Sequence, residues 1–82
     1  VSPVVLSRAC LSLLDIPVKI IDCGSFHSPA VECQRLAGLV ADCVSSGAAL
    51  PLSHCYMLFQ AGLKIGENLS AYNDYLIVAE CV

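Results

Sequence analysis

Two carboxylates stand where an open sheet presents its ligands. Val18 to Cys23 is a short, β-branched apolar run interrupted by Lys19; it reads as a strand ending in Asp22-Cys23-Gly24-Ser25. Asp74-Tyr75-Leu76-Ile77-Val78-Ala79-Glu80-Cys81-Val82 reads as a buried strand carrying Glu80 to its C-terminal end. Ligands of open α/β sheets bind outside the carboxyl ends of the strands, so parallel strands set Asp22 and Glu80 on the same side. Paired acids there can orient a sugar, bind a metal or act as a base. The plainer alternative is that each caps the loop that follows it or pairs with a neighbouring cation. Gly24, able to take positive φ, lets the chain turn sharply behind Asp22.

The other reactive residue types form no comparable constellation. Ser25 and His27 share the loop after the first strand, but catalytic triads are defined by three-dimensional geometry, and a Ser-His pair two apart is not one in itself. His27 reads as an ordinary loop histidine, and His54 opens a helix, partly exposed. Of the six cysteines, the nearest neighbours are ten residues apart, unlike the C-x₂₋₄-C pairs of structural zinc sites. A disulfide framework suits a loop-rich secreted miniprotein. Small buried apolar residues with free thiols are the simpler reading. Cys23 and Cys81 neighbour acids, and a reactive thiolate needs cations. Gly62-Leu63-Lys64-Ile65-Gly66 is helical and lacks the G-x-x-x-x-G-K-[ST] phosphate loop. Asn68-Leu69-Ser70 matches a glycosylation acceptor by chance, inside a helical pattern. No metal and no cofactor is expected.

The elements that must position the acids follow from periodicity. Ser2-Pro3 starts a helix, with serine as N-cap and proline at the first helical position. Leu6, Cys10 and Leu13 recur at helical spacing to Asp15, and Ile16-Pro17 ends the pattern. Residues 25–51 are irregular, punctuated by Ser28-Pro29, Gly38, Ser45-Ser46-Gly47 and Pro51, with room for a helical turn or two between Ala30 and Cys43. A connection this long, leaving the ligand end of a strand, is read as functional. Leu52 to Tyr72 is the longest helical pattern. Leu52, Tyr56, Phe59, Leu63 and Gly66 share one face, and Gln60, Lys64 and Glu67 form a polar stripe. Gly62 and Gly66 each cost about 1 kcal/mol of helix propensity against alanine, which points to close approach of another backbone. Lys64 between them argues against a membrane helix pair. Asn73-Asp74 closes this helix, and Tyr75 to Cys81 is the second strand. Apolar residues on both faces of the strands imply a covered parallel sheet. The expected fold is α/β, part of a parallel-sheet layered domain in the order α, β, long loop, α, β, with the last crossover right-handed.

Composition narrows the class. The 82 residues are 57% hydrophobic and 13% charged, with a net charge of −3. One small domain at most is possible, and this apolar balance fits an internal slice of a larger core. Val1 is not an initiator methionine, which fits the same expectation. Arg8, Lys19, Arg35 and Lys64 are scattered, so no nucleic-acid partner is expected. No apolar run reaches membrane-spanning length and no leader pattern is present, so a cytoplasmic protein without a membrane partner is expected.

The strand running into Ile21-Asp22-Cys23-Gly24, the irregular loop, the Gly62-Leu63-Lys64-Ile65-Gly66 helix and the Asp74-Tyr75-Leu76-Ile77-Val78-Ala79-Glu80 strand together resemble the nicotinate-nucleotide:dimethylbenzimidazole phosphoribosyltransferase superfamily. The likeness runs over nearly all 82 residues and is closest to the archaeal and cyanobacterial branch. There a strand of this kind runs into an acid and then a Pro-Gly-Gly-Thr-Thr-Thr loop. This chain has the acid, Glu80, and ends where the proline would stand. The resemblance implies transfer of ribose 5-phosphate from nicotinate mononucleotide to a benzimidazole-type base, with inversion, in assembly of the lower ligand of cobalamin. It implies a small-molecule nucleotide and an aromatic base as partners, and leaves room for a homodimer of the parent. The general base comes from elsewhere in the family's chain, so no catalytic residue is expected among these 82 and the segment alone is expected to be inactive. Glu80 becomes an acid lining the substrate site beside the phosphate loop, and Asp22, Gly24 and Ser25 a second wall. Two readings from other classes stand beside this one. One is a non-catalytic nucleotide-binding α/β module, the other a structural piece burying its apolar faces against a partner chain.

Overall fold

Pro51, its φ held near −59° by the ring, takes a ψ of 141° and so lies outside the helical region immediately before the longest helix begins. The Pro51 carbonyl accepts the His54 and Cys55 N–H groups, at 3.0 and 3.1 Å, and closes its first turn. In this computed structural model, which describes residues 3–80, that helix runs Leu52–Tyr72, the bounds its periodicity predicts. Asn73 ends it, turning to extended backbone while its side-chain amide donates to the Leu69 carbonyl at 2.8 Å. The first helix, α1, spans Pro3–Leu14; the longest is α2. Asp15 closes α1 at φ 51°, its N–H donating to the Leu11 carbonyl, and Ile16-Pro17 prevents continuation. Ser2, read as the N-cap, lies outside the described residues.

Between the helices, β1 (Ile21–Asp22) pairs with β2 (Gln34–Arg35) in parallel, Ile21 opposite Gln34 and Asp22 opposite Arg35. The Gln34 N–H donates to the Ile20 carbonyl at 2.9 Å and the Leu36 N–H to the Asp22 carbonyl at 3.0 Å, the slanted pattern of a parallel ladder. The chain is therefore an α/β unit, with helices before and after a two-stranded parallel sheet.

The placement of the second strand differs from expectation. It lies within the long connection, where the sequence left room for a helical turn, and a 3₁₀ turn follows at Val44–Ser46. Residues 75–80 join no ladder and are exposed, while Cys81 and Val82 lie outside the described residues. A strand exists only where a neighbour accepts and donates its backbone hydrogen bonds. Gln34–Arg35 has β1 beside it, whereas Tyr75–Glu80 has no such neighbour among the described residues.

The covered face of α2 is not the one that gathers Leu52, Tyr56, Phe59 and Leu63. Ile65 and His54 are its buried residues, at 8% and 9% exposure, and Leu58, Ala61 and Leu69 on the same face are half-buried. Leu52, Tyr56, Phe59 and Leu63, the face read as apolar, point outward. Gly62 and Gly66 have open space around them, with nothing within 4 Å of where a Cβ would stand. The radius of gyration is 14.6 Å, against about 12 Å for a compact domain of this length. Among the described residues no helix is long and apolar enough to cross a membrane.

Candidate functional site

The corner after β1 is built on one oxygen. Oδ1 of Asp22 accepts the Gly24 N–H at 3.0 Å and the Ser25 N–H at 2.8 Å. This is the turn by which a short acidic side chain takes over the bonding of its own backbone. The Ser25 N–H, then the Gly24 N–H, then the Ser25 hydroxyl stabilise the charged form and hold the carboxyl below its usual range, with a smaller pull from Arg35. Gly24 sits at φ 137°, a conformation that L side chains rarely adopt.

A second segment passes directly over this corner. A Cβ on Gly38 would stand 2.6 Å from the Gly24 Cα and 2.5 Å from the Cys23 carbonyl carbon, and a Cβ on Gly24 would meet the Leu39 carbonyl. Two backbones cross here at a separation that only glycine permits on either side. The crossing is tied down from α2. The Leu39 N–H donates to Nε2 of His54 at 3.0 Å, so that nitrogen is unprotonated and the ring proton sits on Nδ1. His54, expected to be partly exposed, is instead buried and holds the loop. Replacing it with alanine removes the acceptor from a part-buried N–H, a loss of about 0.5–1.5 kcal/mol. Glutamine, whose side-chain carbonyl can accept the same bond, is expected to recover part of it. Amide exchange at Leu39 reads this directly: fast in His54→Ala, intermediate in His54→Gln.

Asp22, Gly24, Ser25, Arg35, Ala37 and Gly38 line a recess of about 220 Å³ at this crossing. Three of the four residues expected at the site, Asp22, Gly24 and Ser25, thus come together. Glu80 is not among the lining residues and is exposed at the far end of the chain. His27 lies away from the lining and packs edge-on to Phe26, ring centroids 4.8 Å apart. Arg35 and Gly38 are the residues that sequence reasoning missed. Gly38 carried a signal as a lone glycine in the irregular stretch; Arg35 carried none, because its place depends on a two-residue strand.

Away from the recess, the Cys43 sulfur lies 3.0 Å from the Ser45 hydroxyl, which lowers the thiol's pKa. Cys10, Cys23, Cys33, Cys43 and Cys55 are all free thiols; Cys81 lies outside the described residues. Among the described residues no group of three or more His, Cys, Asp or Glu side chains is placed to hold a metal ion.

Comparison with known proteins finds relatives over the whole chain. The chain is 43% identical over 84 residues to a UPF0284 protein of Rippkaea orientalis, covering all of the chain and 23% of that protein. It is 43% identical to a UPF0284 protein of Gloeothece citriformis and 44% to one of Acaryochloris marina, with the same coverage. The chain thus spans just under a quarter of the length of the curated relatives it matches. No family model matches and no solved structure matches.

Proposed function

We propose that this chain supplies one wall of the nucleotide site of a phosphoribosyltransferase-like protein, one that moves ribose 5-phosphate from nicotinate mononucleotide to a benzimidazole-type base. The observation that carries the reading is the recess at the carboxyl end of β1. It is lined by Asp22 and Gly24, from the corner that carries the resemblance, and by the adjoining Ser25, at the sheet edge where α/β folds hold ligands. Displacement at an anomeric carbon depends on holding the sugar still and balancing the charge that develops on it. A backbone crossing fixed by glycines and pinned by a buried histidine supplies rigidity of that kind. In this reading Glu80 forms the opposite wall.

One observation favours the second reading, a nucleotide-binding module without turnover. Asp22 is the one acid lining the recess, and its Oδ1 is committed to two backbone N–H groups. That arrangement is built for holding a ligand.

Glu80→Gln in the protein at its full natural length tests the transfer reading. The expected result is a melting temperature within a few degrees of the original and a loss of nicotinate mononucleotide affinity or transfer rate of about tenfold or more, about 1.4 kcal/mol. Binding without any transfer in the unaltered protein supports the module reading. Normal kinetics in the variant, or collapse of folding with no separable kinetic defect, removes Glu80 from the site.

A further inference from the structure

Asp22 and Arg35 are opposite one another in the parallel ladder and both line the recess. Side chains directly opposite in a ladder stand on the same face of the sheet. A carboxylate and a guanidinium so placed usually close into an ion pair. Here they interact only at a distance, and no ion pair joins them. Both backbone hydrogen bonds to Asp22 converge on Oδ1, while the Ser25 hydroxyl adds a weaker side-chain stabilisation of the carboxylate. The recess therefore offers, side by side, an Oδ2 that takes no backbone hydrogen bond and a set of guanidinium donors with no partner among the described residues.

The chemistry of that pair selects its ligand. A bare anion would meet the Asp22 carboxylate, and a bare cation would meet Arg35. Hydroxyl groups both donate and accept, so a vicinal diol satisfies both sides, donating to Oδ2 and accepting from the guanidinium. Gly24 and Gly38, having no side chains, let two backbone segments meet directly at the edge of the recess and fix its shape. The volume, about 220 Å³, equals about seven waters at about 30 Å³ each, room for one furanose ring.

We infer that this recess binds the cis-diol of a ribosyl group, with Oδ2 of Asp22 as acceptor and Arg35 as donor. The inference rests on the proposed transfer reading only for which ribosyl compound is the natural ligand. Arg35 becomes a specificity-determining residue, and the role of Asp22 divides between its two oxygens, one holding the turn and one meeting the sugar.

Two substitutions separate those roles. Asp22→Asn keeps a side-chain oxygen for the Gly24 and Ser25 N–H groups and turns the other position from acceptor to donor. Arg35→Gln removes the charge and most of the donors. The probes are nicotinate mononucleotide, D-ribose 5-phosphate and 2-deoxy-D-ribose 5-phosphate, titrated calorimetrically into the protein at its full natural length. The expected result is tenfold or greater preference for ribose 5-phosphate over the deoxy sugar in the unaltered protein, falling to twofold or less in both variants. No preference in the unaltered protein overturns the inference whatever the variants do, so a variant that fails to fold leaves it open to refutation. A preference that persists in folded variants overturns the assignment to Asp22 and Arg35. Discrimination between the two sugars without any affinity for nicotinate mononucleotide supports the diol site and defeats the transfer reading. Affinity for the nucleotide without discrimination does the reverse.

Discussion

The 82 residues on their own are expected to self-associate and to melt without a sharp transition. A compact monomer of 8.6 kDa exposes about 4,700 Å², whereas this chain exposes 7252 Å². The excess, roughly 2,500 Å², is the size of an obligate interface. Its composition is apolar: Leu13, Leu52, Ile77 and Val78 are each more than 80% exposed, and Tyr56, Phe59 and Leu63 line the outer face of α2. Among the described residues Ile65 is the one buried apolar side chain, too little to offset the conformational entropy of ordering the chain. Apolar patches beyond a few hundred Å² drive association. Sedimentation at tens of micromolar should therefore give a weight-average mass well above the monomer, and thermal circular dichroism a broad slope dominated by fraying of the two helices. A single monomeric boundary together with a steep sigmoidal melt would show that the exposed faces close on one another. The relatives have more than three-quarters of their length outside the matched region, and a protein of that length has the material to cover these faces.

Glycine substitutions should split into two opposite classes, and the first carries the largest single-residue effect. Gly38→Ala places a methyl group against the Cys23 carbonyl and the Gly24 Cα, all backbone atoms that cannot swing aside. Overpacking of side chains costs about 1–3 kcal/mol. Displacing a backbone crossing belongs at or above the top of that range, among the exceptional values. Gly24→Ala adds the strain of its φ of 137° to a similar clash with Leu39. In the protein at its full natural length, either variant should lower the melting temperature by ten degrees or more, or fail to accumulate in folded form. Gly62→Ala and Gly66→Ala meet open space, so each should gain up to about 1 kcal/mol of helix propensity and raise the helicity of the 82-residue chain. Destabilisation at Gly62 or Gly66 in the full-length protein, with a gain in the chain alone, would mean that another backbone seats against α2 there. A mild Gly38→Ala would mean that the two segments do not cross at this separation.

Long-range order was readable from this sequence where one residue type acts alone, and unreadable where two distant residues act together. Pro51 and Asn73 bracket α2 because each fails to continue a helix by its own chemistry, and the bounds follow. The Asp22-Cys23-Gly24-Ser25 corner was equally legible, an acid followed by a residue free to take positive φ, and it folds as the expected turn. Gln34–Arg35 left no trace, since two polar residues have no periodicity and their strand exists only because β1 lies beside them. His54 was misplaced for the same reason: its partner is a backbone N–H fifteen residues away, invisible in any local window. Periodicity on α2 identified an apolar face but could not say what it packs against, and in the 82 residues that face is exposed.

The crossing of Cys23-Gly24 under Gly38-Leu39 bears on the order in which the chain folds. Ile21 finds Gln34, Gly24 passes Gly38, and Leu39 reaches His54, the last across fifteen residues. The first two closures span the same loop, and the third begins at Leu39, beside where the second ended. Loop-closure entropy grows only slowly with length, so no single step dominates, and pairing of Ile21 with Gln34 shortens the path from Gly24 to Gly38. The stretch from β1 to the start of α2 can zip in sequence order from local encounters, a low-contact-order route of the kind that folds fast. The recess at its centre can then be complete before the outer face of α2 has met anything at all.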